Sequence, residues 1–283
     1  MVKKVGILYH PKIDSAPILA KQLMGILHAN ETPVWLCSAW EEEEVMAKVP
    51  GTDLILSIGG DGTILRAARA AAPWSVPIAG INLGRLGFTT ELTATEAKDK
   101  LPALLEGEGW IDERAMLEVE PPTQESIGDR LHPMPPVHAL NDVMVGRGAI
   151  ARLIYVEARI NGELLTTFKA DGVVVATATG STGYSLALGG PILHPQSKEI
   201  LLNPISPHLT LSHALLLPPT AVVELRVATY HQAMLSIDGQ VDSPLHNGDM
   251  VRVKLSPHVA RFLRLRPPGS FYSSLEQRLK GKG

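Results

Sequence analysis

The segment Gly59-Gly60-Asp61-Gly62-Thr63 follows the apolar run Leu54-Ile55-Leu56-Ser57-Ile58 and precedes the helical pattern Ile64-Leu65-Arg66-Ala67-Ala68-Arg69-Ala70. A loop of this composition can cradle phosphate. Glycines let backbone N–H groups approach an oxyanion, a helix start adds positive dipole, and Thr63 offers a hydroxyl. The carboxylate in its centre repels phosphate, so Asp61 fits either a metal ligand or an acceptor for the proton of an attacking hydroxyl. That placement points to phosphoryl transfer rather than passive binding. A bare Asp-Gly pair would read as a helix cap in a glycine turn; the whole pentapeptide in this setting favours chemistry.

Three further clusters carry polar groups in short spans. Asn141-Asp142 heads Val143-Met144-Val145 and sets an amide beside a carboxylate, a pair that hydrogen-bonds sugar hydroxyls or a purine edge, although a strand-edge turn has the same composition. Lys169-Ala170-Asp171-Gly172 leads into Val173 to Ala176 and then into Thr177 to Ser185, nine positions with five hydroxyl residues and two glycines, closed by Gly189-Gly190-Pro191. Such a loop can surround a polar ligand with hydroxyls and amides, and Tyr184 adds a flat face. Asp238-Gly239-Gln240 reads as a two-residue hairpin turn. The ten histidines are dispersed without ligand spacing, and no protein metal site is expected.

The elements that must position these groups follow from periodicity. Val5 to Tyr9, Val34 to Leu36, Leu54 to Ile58 and Val76 to Ile81 read as buried strands, alternating with a helix through Ile18, Leu19, Leu23, Ile26 and Leu27 and another beginning at Glu41 to Glu44. This alternation predicts a parallel sheet covered by helices. Asn82-Leu83-Gly84-Arg85-Leu86-Gly87-Phe88 is a second glycine-spaced loop. Ligands of open α/β sheets bind beyond the carboxyl ends of the strands, so both loops can line one cleft. After residue 117 the pattern changes to strands over Leu117 to Glu120, Ala139 to Val145, Ile154 to Ile160, Val173 to Ala176, Leu209 to Leu217, Val222 to Val227, Met234 to Ile237 and Val251 to Leu255. The expected fold is an N-terminal Rossmann-like α/β domain over 1–117 and a C-terminal β-sandwich-like domain over 118–265. A tail over 266–283, with Phe271, Tyr272, Leu275 and Leu279, is expected to return to the first domain. Pro121 to Val137 reads as an exposed loop.

The 283 residues, 45% apolar and 19% charged, suffice for two domains with real cores. A net charge of −3 gives no general pull toward nucleic acid or anionic membrane. The single cysteine, Cys37, excludes a disulfide framework and reads as a small buried hydrophobe. The first apolar run ends at His10-Pro11, too soon for a signal peptide, and none approaches membrane-spanning length. A cytoplasmic protein is expected.

Together these motifs resemble the NAD kinase family, through Gly59 to Thr63, Asn82 to Phe88, Asn141-Asp142, Asp171 with Thr179 to Tyr184, and Asp238 to Gln240. The likeness spans nearly the whole chain; the glycine pentapeptide alone is shared with lipid kinases and phosphofructokinase-like enzymes. The resemblance implies transfer of the terminal phosphate of ATP, or of inorganic polyphosphate, to the 2′-hydroxyl of the adenosine ribose of NAD, giving NADP, with the active site between an α/β and a β-rich domain. It implies a divalent cation, magnesium, bridging the donor phosphates, and a homodimer or homotetramer in which a neighbour helps shape the dinucleotide site. Carried across, it makes Asp61 the proton acceptor, with Gly62 beside it and Arg66 near phosphate. Asn141 and Asp142 would hold the dinucleotide; Arg152, Lys169, Asp171, Thr179, Thr182, Gly183, Tyr184, Ser185, Leu186, Ala187 and Gln240 complete the set. Ala178, Gly183 and Asp142 stand where proline, alanine and glutamate are common in the family, and none removes a group the chemistry needs. A lipid kinase and a non-catalytic dinucleotide sensor are the alternatives. The polar loop from Thr177 disfavours the first, and the retained Asp61 disfavours the second.

Overall fold

A computed structural model describes residues 2–84, 87–123, 136–148, 152–229, 231–269, 271–273 and 275–276. Two compact units emerge: Met1–Glu113 with His258–Gly283, and Arg114–Pro257. The first begins with β1 (Val5–Tyr9), α1 (Ser15–Ala29), β2 (Val34–Ser38), α2 (Glu42–Lys48), β3 (Leu54–Gly59), α3 (Asp61–Ala71), β4 (Pro77–Asn82), β5 (Leu92–Thr93) and α4 (Ala94–Glu106). Its parallel strands lie in the order β2-β1-β3-β4, with β5 beside the end of β4. All six residues of β3 are buried, as a central parallel strand covered on both faces requires. Leu19, Leu23 and Leu27 of α1 recur every four residues and form one buried stripe. Each such leucine contributes roughly 1.5–3 kcal/mol on burial. The register from Ile55 opposite Ile78 to Gly59 opposite Asn82 sets the site, because the two glycine loops leave the sheet from adjacent strand ends. Helix α4 starts at a reciprocal cap: Glu96 N–H donates to Thr93 Oγ1, and Thr93 N–H donates to Glu96 Oε2 at 2.8 Å.

The chain continues through β6 (Trp110–Thr123), β7 (Val137–Ala139), β8 (Asp142–Arg147), β9 (Ile154–Ile160), β10 (Glu163–Ala170), β11 (Gly172–Ala176), the single turn α5 (Tyr184–Ala187), β12 (Ile200–Ile205), β13 (Leu215–Leu217), β14 (Val222–Val227), β15 (Ala233–Ile237), β16 (Val241–Leu245) and β17 (Met250–Arg264). In the second unit one antiparallel sheet runs β13-β12-β11-β8-β15-β16, and β10-β9-β14-β17 forms another antiparallel run. Val145, Val173 and Val175 from the first share one apolar cluster with Val156, Phe168 and Leu225 from the second, the interior of a sandwich. The C-terminal part of β17 belongs to the first unit, where Arg261 and Phe262 pair in parallel with Pro77 and Ile78. Beyond it, the Phe271 ring lies 6.5 Å from that of Phe88.

Several strands differ from the sequence expectation. A continuous strand over Ala139 to Val145 is interrupted at Leu140 and Asn141, whose N–H groups donate to the Asp238 carboxylate instead of a ladder. Only Leu215–Leu217 of the expected Leu209 to Leu217 strand pairs; Leu209 has φ 54° and is exposed. The strands β10, β12 and β16 carry weak signals because β10 is largely exposed and the other two contain proline. Pro204 is in register with Val173 of β11 but lies past the residues of β12 that pair with β13, and Pro244 sits on the edge strand β16, so each proline has one side with no paired strand, where a missing N–H is tolerated. Helix α4 and the extension of β17 to Arg264 also went unmarked. The proline-rich stretch read as a loop begins late, since β6 continues to Thr123; residues 124–135 lie outside the described residues, as do Arg85, Leu86 and Leu279.

Candidate functional site

In the first unit, β3 delivers Gly59 and Gly60 to the start of α3. Thr63 N–H donates to the Gly60 carbonyl at 3.0 Å, turning the chain into the helix with Asp61 as its first residue. A Cβ on Gly59 would stand 2.2 Å from Thr63 Oγ1, so the protein itself requires that glycine. Among the described residues, a Cβ on Gly60 would meet nothing within 4 Å, so none of them blocks an incoming group on this side of the backbone. Thr63 corrects the sequence reading: it is fully buried, and its hydroxyl has no hydrogen-bond partner among the described residues. It lies on the inward face of the first turn and fills space beneath Gly59 instead of facing a phosphate.

Asp61 and Gly62 are exposed. Asp61 Oδ1 accepts a hydrogen bond from Thr89 Oγ1 at 2.5 Å. Gly87 of the second glycine loop lies against the same carboxylate, because a Cβ there would fall 2.6 and 2.8 Å from its two oxygens. That loop is tied down by Gly84 N–H donating to Asn82 Oδ1 and Gly87 N–H donating to Thr90 Oγ1, each at 2.8 Å. Further along α3, the Arg66 guanidinium stands 4.6 Å above the Trp40 ring, whose edge meets His10 at 4.5 Å. This stacking holds a cation near the loop.

In the second unit, the turn between β15 and β16 has Asp238 and Gly239 at φ 53° and 61°, the hairpin geometry its sequence predicts. Its carboxylate does more than turn the chain. Asp238 Oδ2 accepts from Leu140 N–H at 2.9 Å, and Oδ1 accepts from Asn141 N–H at 2.7 Å and Asp142 N–H at 3.1 Å. On the opposite side, Thr177 Oγ1 donates to the Leu140 carbonyl at 2.6 Å and Thr177 N–H to the Asn141 carbonyl at 2.9 Å. A Cβ on Gly180 would stand 2.0 Å from that carbonyl oxygen, so backbone packs on backbone there. The Asn141-Asp142 corner is thus gripped from two sides. Burial, then the nearby Asp238 charge, pushes the Asp142 carboxyl up to about 7.

The hydroxyl-rich loop is built differently from its composition. Ser181 Oγ donates to the Ala178 carbonyl and accepts from Leu193 N–H, and Thr182 Oγ1 donates to the Thr179 carbonyl. Thr179 Oγ1 accepts from the buried Arg114 at 3.4 Å. These groups shape the turn as well as polarise it. Asn203 Nδ2 donates to the carbonyl of buried Ser185, while Gly183 lies near the Asp142 carboxyl; Tyr184 and Ala187 are exposed and Leu186 half-buried on α5. Gln240 N–H donates to the Ile237 carbonyl within the hairpin. Lys169, Asp171 and Arg152 form no part of this cluster. Lys169 stands 5.9 Å over the Tyr155 ring, Asp171 Oδ1 pairs with Arg147 Nε at 2.7 Å, and Arg152 is exposed. Lys169 and Asp171 precede β11 and Thr177 follows it, so five strand residues, roughly 15 Å, separate the two groups.

Residues 20–109 match the ATP-NAD kinase N-terminal domain, and residues 140–265 match the ATP-NAD kinase C-terminal domain. The chain belongs to the NAD kinase family. An NAD kinase of Dehalococcoides mccartyi is 46% identical over 281 residues, covering 99% of this chain and 97% of that protein. Among solved structures, the NAD kinase of Archaeoglobus fulgidus in complex with ATP aligns with a TM-score of 0.76 at 25% identity, over 99% of this chain and all of that one. Yeast NADH kinase complexed with NADH shares the fold, with a TM-score of 0.85 at 24% identity over 99% of this chain and 88% of that one.

Within this NAD kinase family chain, sequence reasoning passed over Thr89, Arg114, Arg147 and the carboxylate role of Asp238. Thr89 lies just past the second glycine loop and Arg147 just past the expected strand Ala139 to Val145, and neither carries a local mark of its partner; Asp238 reads only as a turn residue. Cys37 is buried, with its thiol 3.3 Å from Glu41 Oε2. Burial, then Glu41 and Glu44, pushes that thiol up to about 12, which keeps it protonated and unreactive.

Proposed function

We propose that the chain transfers the terminal phosphoryl group of ATP to the 2′-hydroxyl of the adenosine ribose of NAD, giving NADP and ADP. The observation that carries this reading is an exposed carboxylate on a glycine loop at a helix start, with Oδ1 held by Thr89 and no hydrogen bond to Oδ2 among the described residues. The acceptor oxygen attacks the terminal phosphorus, the bond to the ADP oxygen breaks, and the acceptor proton passes to Asp61. Gly60 and Gly62 let the donor phosphates approach the loop, and Arg66 supplies positive charge. A divalent cation, magnesium, held by the donor phosphates would supply neutralisation of their charge. Asn141 and Asp142 hold the dinucleotide, supported by Thr179, Thr182 to Ala187 and Gln240.

Arg152, Lys169 and Asp171 take part through association. In a homodimer or homotetramer, this far end of β11 would complete a neighbouring subunit's dinucleotide site, which accords with its separation from Thr177. Cytoplasmic action, without nucleic acid or membrane as partner, belongs to the same reading. Among the described residues no helix is long and apolar enough to cross a membrane.

The test is NADP formation by the purified protein with NAD and magnesium, with ATP, with polyphosphate, and without donor. Product with ATP alone supports the full proposal; product with polyphosphate alone replaces the donor. NAD binding without product under any donor overturns catalysis in favour of a sensor. Phosphorylation of a long-chain diol but not NAD would make it a lipid kinase.

A further inference from the structure

Thr89 lies two residues beyond Gly87 and is 4% exposed. Its hydroxyl reaches Asp61 Oδ1 across 28 residues of sequence. Asp61 is otherwise exposed at the head of α3, where an unrestrained aspartate samples several rotamers. The hydrogen bond removes that freedom and occupies Oδ1, while no hydrogen bond to Oδ2 forms among the described residues. Gly87 completes the arrangement, since any side chain there would push the carboxylate aside.

Thr89 is itself anchored. Its carbonyl accepts from Arg264 Nη1 at 2.9 Å. Arg264 is buried; its Nε donates to Asp112 Oδ2 at 3.1 Å, and Glu91 Oε2 lies 3.5 Å from Nη1. Glu91 is also buried, and its Oε1 accepts from Leu265 N–H at 3.0 Å and Arg266 N–H at 2.7 Å. A guanidinium between two buried carboxylates resists displacement, because parting either pair leaves an uncompensated charge in the interior. The end of β17 therefore holds the backbone from which Thr89 reaches Asp61.

We propose that Thr89 is a positioning residue for phosphoryl transfer, engaging Oδ1 of Asp61 so that Oδ2 is the oxygen that receives the acceptor proton. This rests on Asp61 being the proton acceptor. As the acceptor oxygen bonds to the terminal phosphorus and the bond to the leaving phosphate oxygen breaks, the acceptor proton moves to Oδ2. Thr89 keeps its own proton throughout. Fixing a base within hydrogen-bond reach raises the rate of the chemical step and leaves ground-state binding nearly untouched.

The test compares Thr89→Val, which keeps the volume and loses the hydroxyl, with Thr89→Ser, which keeps the hydroxyl. Steady-state kinetics are expected to show kcat lowered about tenfold or more in Thr89→Val, with KM for NAD and ATP within about twofold, and most of kcat restored in Thr89→Ser. In an Asp61→Asn background, Thr89→Val is expected to cost nothing further, because the group it acts through is gone. Wild-type kcat in Thr89→Val, or equal slowness in Thr89→Ser, overturns the proposal. Should Thr89→Val unfold at the assay temperature, Thr89→Ala against Thr89→Ser carries the same comparison. Full activity in Asp61→Asn refutes the proton-acceptor reading itself, whereas an inactive Asp61→Asn beside an unimpaired Thr89→Val refutes the positioning role alone.

Discussion

Replacing Asp142 by Asn turns the grip on the Asn141-Asp142 corner into a measurable pH dependence. The Asp142 carboxyl is pushed up to about 7 by burial and by the Asp238 charge, and Asp238 is held as an acceptor by three backbone N–H groups. In the unfolded chain an aspartate titrates near 3.9. Between about pH 4 and 7 the folded state therefore keeps a proton that the unfolded state has lost, so stability falls as pH rises through that window and levels off above it. For these two values, the fall from pH 5 to pH 8 is about 2–3 kcal/mol, an upper bound because Asp142 is only partly buried as a residue. The amide of the Asp142→Asn variant is neutral throughout and has no such slope. Urea unfolding of wild type and variant across this range gives the difference between them, in which the other carboxylates cancel. That difference should move in the variant's favour by about 2–3 kcal/mol from pH 5 to pH 8, whatever its constant offset. Parallel stability curves would refute the buried, proton-bearing Asp142.

Three other substitutions probe the loops. Asp61→Asn is expected to lose roughly two or more powers of ten in kcat while calorimetry shows NAD binding largely kept; undiminished turnover would remove Asp61 from the chemistry. Gly180→Ala places a methyl 2.0 Å from the Asn141 carbonyl oxygen, a backbone atom that cannot swing away. It should cost about 3 kcal/mol or more in urea unfolding and weaken NAD binding, and a variant of wild-type stability would mean the turn does not pack as described. Gly60→Ala fits its φ of −101° and meets no atom of the described residues within 4 Å, so stability should stay within about 1 kcal/mol. Its KM for ATP should nevertheless rise about tenfold as the methyl meets the donor, and an unchanged KM would show that phosphate does not approach there.

Local patterns alone specify the layers of the fold and the identity of the central loop. Buried runs such as Leu54 to Ile58, the helical spacing of Leu19, Leu23 and Leu27, and the glycines around Asp61 are written within a few residues of one another. The Asp238-Gly239 hairpin was legible for the same reason, since positive φ at two successive positions selects such residues. Strands containing Pro204 and Pro244 were not, because what permits a proline is the absence of a neighbour on one side, which depends on sheet order. The working roles of individual side chains were the least legible. Composition offers the hydroxyls of Thr63, Ser181 and Thr182 to a ligand; the fold buries the first and ties the others to their own backbone. Conversely, nothing near Thr89 marks it as a partner for Asp61, and nothing near Asp238 marks it as the acceptor for residues almost a hundred positions earlier. Hydrogen bonds of this kind depend on distances of a few tenths of an ångström between distant parts of the chain, and only the packed structure fixes those distances.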